Sequence, residues 1–412
     1  MAHDVSFFLA RHSSLLALRC LLLASLLIAC AGCVPVPALY SDVTSVEVDS
    51  RHLAHKAETD DPPTSWPVFR GDSKSTGVAT SSLPDQLSLL WRHPVEDGAF
   101  EATPVIVGGV VYIGDLDGTV YALDLESAEK KWSRTIEDAG FTASPAVRDG
   151  MLYVGDFNGL FHCLDAGSGE PIWSFETDAE INSSANFYLD NVLVGSQDAT
   201  LYCLDRTSGE IVWKHSVQDQ IRCSPTVVDD RAFLAGCDGQ LHIVDLTQGE
   251  DAARVPIDAP TGSTPAVLGN LVFFGTEGGT FYAVNWETAE IAWTFRDEDS
   301  AQPFRSSAAV HANTVVVGSR NKKLHAFAAD TGETLWTFSA RQRIDSSPVI
   351  VGDRVFFGVA DGRLYAVQLS TGEQLWEYEA GGGFAGSAAV AEQRLVIASD
   401  DGIVYCFGKR PS

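Results

Sequence analysis

The feature that most constrains this chain is a unit of about forty residues that recurs eight times. Each unit contains a pair of small residues, of which the first always carries a hydroxyl group: Thr103-Pro104, Ser144-Pro145, Ser184-Ala185, Ser224-Pro225, Thr264-Pro265, Ser307-Ala308, Ser347-Pro348 and Ser387-Ala388. The intervals between the second members are 41, 40, 40, 40, 43, 40 and 40 residues. So regular a period favours one closed repeat domain over several separate domains.

The residues within one unit predict four short strands. In residues 142–173, a strand of small residues leads through a turn into the apolar run Met151–Gly155. Asn158-Gly159, a strong hairpin signal, follows, and two further strands end at Trp173. Four strands in forty residues are typical of one propeller blade. We therefore predict an all-β fold, an eight-bladed β-propeller of four-stranded antiparallel blades.

The hydroxyl pairs belong to the predicted innermost strands, which converge on the propeller axis. A small residue precedes each pair, as expected where large side chains would overpack. Two positions earlier lies an apolar ring that is broken by Thr261: Phe100, Phe141, Ile181, Ile221, Phe304, Ile344 and Phe384. The hydroxyl ring is interpreted as local backbone hydrogen bonding, with a ligand cage as the alternative.

The outer strands carry a recurrent tryptophan. In seven units a turn ends in Glu. In six of these units a tryptophan with a predicted structural role comes three residues later: Trp132, Trp173, Trp213, Trp293, Trp336 and Trp376. The fourth unit has Ala253 at this position. The repeated glutamates are interpreted as turn residues rather than catalytic groups. The eighth unit ends without an outer strand, whereas Leu87–Val95, which carries Trp91, precedes the first unit. We predict that this segment completes blade eight and removes its open sheet edge.

The first 29 residues have the layout of a secretory signal peptide. Arg11 and Arg19 precede the apolar run Leu21–Ala29, which is shorter than the ~20 residues that span a bilayer. The sequence ending at Cys30 resembles a bacterial lipobox, so Cys30 is the predicted lipidation site and Cys33 the alternative. An ordinary secretion signal with incidental cysteines is the competing interpretation.

Residues 30–65 are polar, contain proline and lack periodicity. They are predicted to form a disordered tether with a reach of roughly 30 Å, and residues 66–412 to form the propeller. No aspartate follows Cys30 or Cys33. The resemblance to lipoprotein sorting signals therefore implies an outer-membrane protein that faces the periplasm.

The charge of the chain restricts its partners. Lys and Arg total 28 against 55 Asp and Glu, which gives a formal net charge of −27. Such a field repels phosphate groups. We expect no nucleic-acid partner, and membrane contact through the lipid anchor alone.

Blades four to six are the least regular part of the repeat, so a partner-binding site is predicted there. Ala253 and Thr261 break two rings, and three residues are inserted around Asp299–Pro303. The predicted partner-binding residues are Arg222, Arg305, Arg343 and Trp286. Ion pairs with Asp219, Asp299 and Asp345 are the alternative for the arginines. Turn packing is the alternative for Trp286, because other units carry Leu125, Leu246 or Leu369 there.

No set of residues has the spacing of a metal site or a catalytic centre. His162, His242, His311 and His325 are dispersed, so no metal ligand and no catalytic residue is predicted. Cys163, Cys203 and Cys406 occupy equivalent strand positions and are interpreted as small buried residues. No disulfide is inferred for Cys223 and Cys237.

The turn and strand around Asp205–Trp213, Asp-x-x-Ser-Gly-Glu-x-x-Trp, resembles the tryptophan-docking repeat of quinoprotein-type (PQQ-like) eight-bladed propellers. Trp66–Gly71 is similar to a motif that often precedes such repeats. The resemblance extends over about residues 66–408. Quinoprotein dehydrogenases with this fold hold their quinone between a tryptophan and a vicinal disulfide, beside Ca²⁺ and a catalytic aspartate. This chain has no adjacent cysteine pair, no Cys-x-x-Cys-His motif and short loops.

A closer resemblance is to the BamB type, the propeller lipoprotein of the outer-membrane β-barrel assembly machinery. The resemblance implies a non-enzymatic, lipid-anchored periplasmic scaffold without a cofactor, with protein partners in the barrel-assembly complex. Two alternatives remain: a PQQ-binding quinoprotein dehydrogenase-like protein, and a secreted propeller that binds carbohydrate or surfaces.

We expect Cys30→Ala to abolish incorporation of a fatty-acid probe at the mature N-terminus, because the thiol is the acylated group. Labelling of the protein in cells, followed by denaturing electrophoresis, measures this. Unchanged labelling would assign the anchor to Cys33. No labelling of the wild-type protein would exclude lipidation.

Overall fold

The computed structural model describes residues 65–96 and 98–410. The predicted signal peptide, Cys30, Cys33 and the tether up to residue 64 lie outside the described residues. Among the described residues, no helix is long and apolar enough to cross a membrane.

All named elements are β-strands, most of them three to six residues long. In chain order they are β1 (Ser88–Pro94), β2 (Val105–Val107), β3 (Val110–Gly114), β4 (Thr119–Asp124), β5 (Lys130–Thr135), β6 (Ala146–Arg148), β7 (Met151–Gly155), β8 (Leu160–Asp165), β9 (Pro171–Glu176), β10 (Asn186–Tyr188), β11 (Asn191–Ser196), β12 (Thr200–Asp205), β13 (Ile211–Ser216), β14 (Thr226–Val228), β15 (Arg231–Ala235), β16 (Gln240–Asp245), β17 (Glu250–Pro256), β18 (Ala266–Leu268), β19 (Leu271–Gly275), β20 (Thr280–Asn285), β21 (Glu290–Arg296), β22 (Ala309–His311), β23 (Thr314–Gly318), β24 (Lys323–Ala328), β25 (Thr334–Ser339), β26 (Val349–Val351), β27 (Arg354–Gly358), β28 (Arg363–Gln368), β29 (Gln374–Glu379), β30 (Ala389–Ala391), β31 (Arg394–Ala398) and β32 (Ile403–Gly408).

The strands form eight four-stranded antiparallel sheets, and the predicted eight-bladed β-propeller is confirmed. Blade one is β2-β3-β4-β5, and each of the next six blades takes the following four strands. Blade eight has the order β1-β32-β31-β30. Short inner strands and long outer strands follow from the sequence, since small residues fit near the axis and longer alternating strands fit the wider rim.

The segment around Trp91 supplies the outer strand of the last blade, as predicted. Strand β1 pairs antiparallel with β32, from Ser88 opposite Gly408 to Pro94 opposite Ile403. The indole N–H of Trp91 donates to the carbonyl of Leu125 in blade one at 2.9 Å. The beginning and the end of the propeller sequence are therefore joined within one sheet.

The eight hydroxyl groups near the axis form a closed ring of hydrogen bonds. Each oxygen accepts from the backbone N–H of the equivalent residue one blade earlier, at 2.9–3.0 Å, and Ser387 N–H completes the circle by donating to Thr103. Backbone hydrogen bonding is thus the correct interpretation of these residues, but the prediction that it is local was wrong. The bonds join neighbouring blades, because the crowded axis brings equivalent positions into contact.

The segment Trp66–Ala79 runs along the inside of the ring and pairs with the exposed edges of the inner strands. Backbone carbonyls of this segment accept hydrogen bonds of 2.7–3.0 Å from the middle amide of six inner strands, those of Ile106, Val147, Val227, Val267, Val310 and Ile350. The buried guanidinium of Arg70 donates to the carbonyls of Ala308 and Pro348 at 3.1 and 2.6 Å. The segment therefore fills the axis and satisfies backbone groups that would otherwise be unpaired.

Outer tryptophans join each blade to the next. Six indole N–H groups donate at 2.8–3.1 Å to the carbonyl of a turn residue one blade on: Trp91 to Leu125, Trp132 to Ala166, Trp173 to Arg206, Trp213 to Leu246, Trp293 to Ala329 and Trp336 to Leu369. The ring of Trp132 covers Gly169, where φ is +74° and a Cβ would lie 2.7 Å from the indole. Trp376 packs against Phe407 of blade eight.

Blade four lacks this tryptophan, and Trp286 takes its place. Trp286 comes from the following blade, donates to the carbonyl of Gly269 at 3.1 Å and packs against Phe233 with ring centroids 5.8 Å apart. Phe233 occupies the third position of β15, and the same position of β19, Phe273, contacts its own docking residue Trp293. The indole of Trp286 in blade five thus fills the space that a tryptophan at position 253 of blade four would occupy.

His325 is a buried ionisable group in blade six. Its ring lies among Phe295, Phe304 and Phe327, with centroids 5.2–5.9 Å away. Burial lowers the pKa of His325 from 6.5 to about 4, against the opposing effect of nearby Asp297. The ring is therefore neutral in the folded protein near neutral pH.

We expect Trp286→Ala to lower the free energy of unfolding by about 2 kcal/mol, less than a fully buried tryptophan would cost. The variant Trp286→Leu introduces the leucine that other blades carry at this turn. It is the single variant with which the double variant below is compared. Combining Trp286→Leu with Ala253→Trp should recover the loss, because the indole then returns to the outer strand. Denaturant unfolding measures all three. If the double variant is no more stable than Trp286→Leu, the conclusion that Trp286 replaces the tryptophan missing at position 253 is contradicted.

We expect His325 to make the protein less stable as the pH falls from 6.5 towards 4. In this window the unfolded chain binds a proton that the folded chain does not, and the pKa difference corresponds to about 3 kcal/mol. His325→Phe should therefore show a smaller acid-induced loss of unfolding free energy than the wild type. His311→Ala, at an exposed position, is the control. Parallel pH profiles for wild type and His325→Phe would contradict this assignment.

Candidate functional site

A polar cavity of about 160 Å³ opens at the axis of the ring, where the chain enters the inner strands. Its wall contains all eight hydroxyl residues that form the hydrogen-bonded ring, together with Glu101. Phe69 of the axial segment also lines it. The cavity is therefore a shallow funnel above the segment that fills the axis.

The hydroxyl groups give the wall a hydrogen-bond donor character. Each oxygen already accepts one backbone hydrogen bond, and within residues 65–96 and 98–410 these hydroxyls make no second side-chain bond. Their O–H hydrogens remain available to an acceptor. The wall thus suits carbonyl or carboxylate oxygens better than cations.

Two of the predicted arginines line the cavity. Arg222 is exposed and donates to Oε1 of Gln220 at 3.0 and 2.6 Å. Arg305 is half exposed and pairs with Glu277 at 2.7 Å. The alternative interpretation, in which these arginines pair with Asp219 and Asp299, named the wrong partners: Arg222 bonds to Gln220, and Arg305 pairs with Glu277. Their role in binding stays a prediction.

The third arginine is engaged in an ion-pair network. Arg343 donates to Asp345 at 2.9 Å, as its alternative interpretation predicted. Asp345 also accepts a bidentate pair from Arg320 at 2.8 and 2.9 Å. Asp345 lines the cavity, whereas Arg343 does not contribute to its wall. Trp286 packs at the outer rim as described above, so the structure does not bring it together with these arginines.

A cluster that the sequence analysis did not identify lies between blades three and four. His215 Nε2 and His242 Nδ1 lie 3.3 and 3.1 Å from the same oxygen, Oδ1 of Asp251. Both rings are buried. Linear spacing conceals the cluster because β13, β16 and β17 contribute one residue each. One feature of the sequence could have indicated the cluster: Asp251 is charged at a strand position where blade two has Pro171 and blade three has Ile211.

The cavity does not fit the quinone cofactor of the enzymes that share this architecture. Pockets that bury ligands of this class usually measure about 300–1,000 Å³, and this cavity measures about 160 Å³. Its only aromatic lining residue among the described residues is Phe69, so no tryptophan is present for stacking. The five described cysteines are free thiols, and none is adjacent to another.

These features define the class of protein: a PQQ-like eight-bladed β-propeller closed by its N-terminal strand. The profile of the family described as outer membrane protein assembly factor BamB matches residues 84–140, 134–201, 162–252 and 197–410. These segments together span most of the chain, and the protein belongs to this family. No curated protein sequence matches the chain significantly.

Solved structures show the same fold at low sequence identity. BamB from Moraxella catarrhalis is 20% identical with a TM-score of 0.67, over 79% of this chain and 99% of that chain. Quinohemoprotein alcohol dehydrogenase from Comamonas testosteroni is 14% identical with a TM-score of 0.72, over 86% of this chain and 82% of that chain. The computationally designed Ika8 protein is 17% identical with a TM-score of 0.69, over 78% of this chain and 98% of that chain. At these identities the similarity concerns the fold alone.

Proposed function

We propose that this protein is a non-enzymatic scaffold, anchored by a lipid on Cys30 to the outer membrane and facing the periplasm, that holds protein partners in outer-membrane protein assembly. Membership of the BamB family supports the assembly role. The lipobox-like sequence and the polar tether support the anchor. The proposal assigns binding to the ring face that carries the axial cavity.

The observation that carries the proposal is the shallow polar funnel with Arg222 and Arg305 at its rim. On a chain with a net charge of −27, two accessible guanidinium groups form a local donor site. Guanidinium groups bind carboxylates and backbone carbonyls through two parallel hydrogen bonds. A protein loop that presents such acceptors therefore fits this rim.

Two acidic groups beside the cavity are engaged in ion pairs, which favours binding rather than catalysis, and the third, Glu101, is exposed. Asp345 is held by Arg320 and Arg343, and Glu277 is paired with Arg305. A general acid or base needs a carboxyl group or histidine that can exchange its proton with a substrate. Carboxylates committed to arginine pairs are instead suited to positioning the arginines on the rim.

We expect the double variant Arg222→Glu and Arg305→Glu to reduce co-purification with the barrel-forming assembly protein by at least ~10-fold after mild detergent extraction, since charge reversal removes both donors. Lys131→Glu, an exposed change on the outer strand β5, is the matched control. Circular dichroism checks that all variants are folded. Unchanged recovery of the partner with the double variant would contradict binding at this rim. Stoichiometric binding of pyrroloquinoline quinone with Ca²⁺ would instead favour the quinoprotein alternative.

A further inference from the structure

Two histidines and one aspartate converge on a single point between blades three and four. His215 is in the outer strand β13 of blade three, whereas His242 and Asp251 are in β16 and β17 of blade four. Their ligand atoms all lie within 4.8 Å of one another. The side chain of His242 is 0% exposed and that of His215 is 8% exposed. The arrangement therefore concentrates three polar groups in a nearly dry interface.

The outer contacts of both rings fix their tautomers. His215 Nδ1 lies 3.1 Å from the carbonyl oxygen of Gly249, and His242 Nε2 lies 2.9 Å from Oδ2 of Asp238. Carbonyl and carboxylate oxygens accept hydrogen bonds and do not donate. These two ring nitrogens therefore carry the protons, and a neutral ring keeps its lone pair on the other nitrogen. The two lone pairs, on His215 Nε2 and His242 Nδ1, both face Asp251.

Three acceptors in contact need something positive between them. His215 Nε2 is buried and makes no hydrogen bond of normal geometry in the described part of the chain, although Oδ1 of Asp251 lies 3.3 Å away. A buried polar atom in this condition is costly. Without a metal, each ring would need a second proton on its inner nitrogen, and both protons would be directed at the single oxygen Oδ1 of Asp251. One metal cation instead satisfies all three acceptors at once.

The distances agree with a tetrahedral metal ion. Zinc binds nitrogen and oxygen ligands at about 2.0–2.1 Å, so the edges of its tetrahedron measure about 3.3 Å. Two edges match this value: Asp251 Oδ1 lies 3.3 Å from His215 Nε2 and 3.1 Å from His242 Nδ1. The third edge, between the two nitrogens, is no longer than 4.8 Å. The contacts of the outer ring nitrogens with Asp238 and Gly249 are those that orient histidine ligands in zinc sites. Arg254 binds the other oxygen of Asp251, which leaves Oδ1 for the metal.

We propose that His215, His242 and Asp251 bind one divalent transition-metal ion of the zinc type, with water as the fourth ligand. The ion joins the outer strand of blade three to blade four. It acts as a structural clip beside the interface where Ala253 interrupts the tryptophan ring. Binding to the folded state alone raises the stability of the protein with the concentration of the metal.

The test is titration of the chelator-treated full-length protein with ZnSO₄, followed by calorimetry and thermal unfolding. We expect one equivalent to bind and the Tm to rise. Co²⁺ in the same site should show the strong visible absorption of a tetrahedral complex. His215→Gln and Asp251→Asn should each weaken binding by more than about 100-fold, because loss of an outer contact alone costs ~10–100-fold. Asp238→Asn, which alters only an outer contact of His242, should weaken metal binding by ~10–100-fold.

The matched control is His162→Gln. His162 occupies the strand position of His242 in blade two and contacts Asp156 at 2.8 Å. Arg134 of blade one stands at the position that corresponds to His215, and Pro171 of blade two stands at that of Asp251. The control should bind zinc like the wild type. Circular dichroism of the metal-free variants separates loss of ligands from loss of folding. No binding by the folded wild type, or binding that folded His215→Gln and Asp251→Asn retain, would overturn the proposal.

Discussion

The ring of eight hydrogen bonds around the axis is the constraint on which the rest of the structure depends. Each blade donates one backbone N–H to a hydroxyl of the next, and Ser387 returns the last bond to Thr103. A bond of this kind contributes about 1 kcal/mol. Its larger effect is geometric, because a closed ring requires every blade to present its hydroxyl at the same height and angle. The hydroxyl residue therefore recurs once in every blade, at intervals of 40 to 43 residues.

The axial segment completes what the ring begins. An inner strand has a free edge, and eight such edges would surround an open channel. Six of them donate to carbonyls of Trp66–Ala79, so the backbone of this segment occupies the axis. The cavity that remains is small, and its rim rather than its depth is the accessible surface. This geometry favours recognition of a protein surface over enclosure of a cofactor.

Departures from the repeat have different physical causes. The missing tryptophan of blade four is replaced by Trp286, which contacts Phe233 from the following blade. Packing requires an indole in that space, but it does not specify the strand that supplies it. At the neighbouring interface, His215 stands at an outer-strand position that is aromatic in blades two, five, six and seven, and Asp251 adds a carboxylate beside it. One departure thus preserves packing, and the other creates a site with different chemistry.

The sequence alone determined the all-β class, the number of blades and the strand that closes the ring, because period, turn residues and small-residue spacing are local and repeat eight times. It also located Arg222 and Arg305 near the mouth, since their position follows from the inner strands. It did not determine their partners, Gln220 and Glu277, or the direction of the hydroxyl bonds. The meeting of His215, His242 and Asp251 was decided by the tertiary structure. Such contacts depend on the angle between neighbouring blades, which brings residues from different strands within hydrogen-bond distance without any signature in linear spacing.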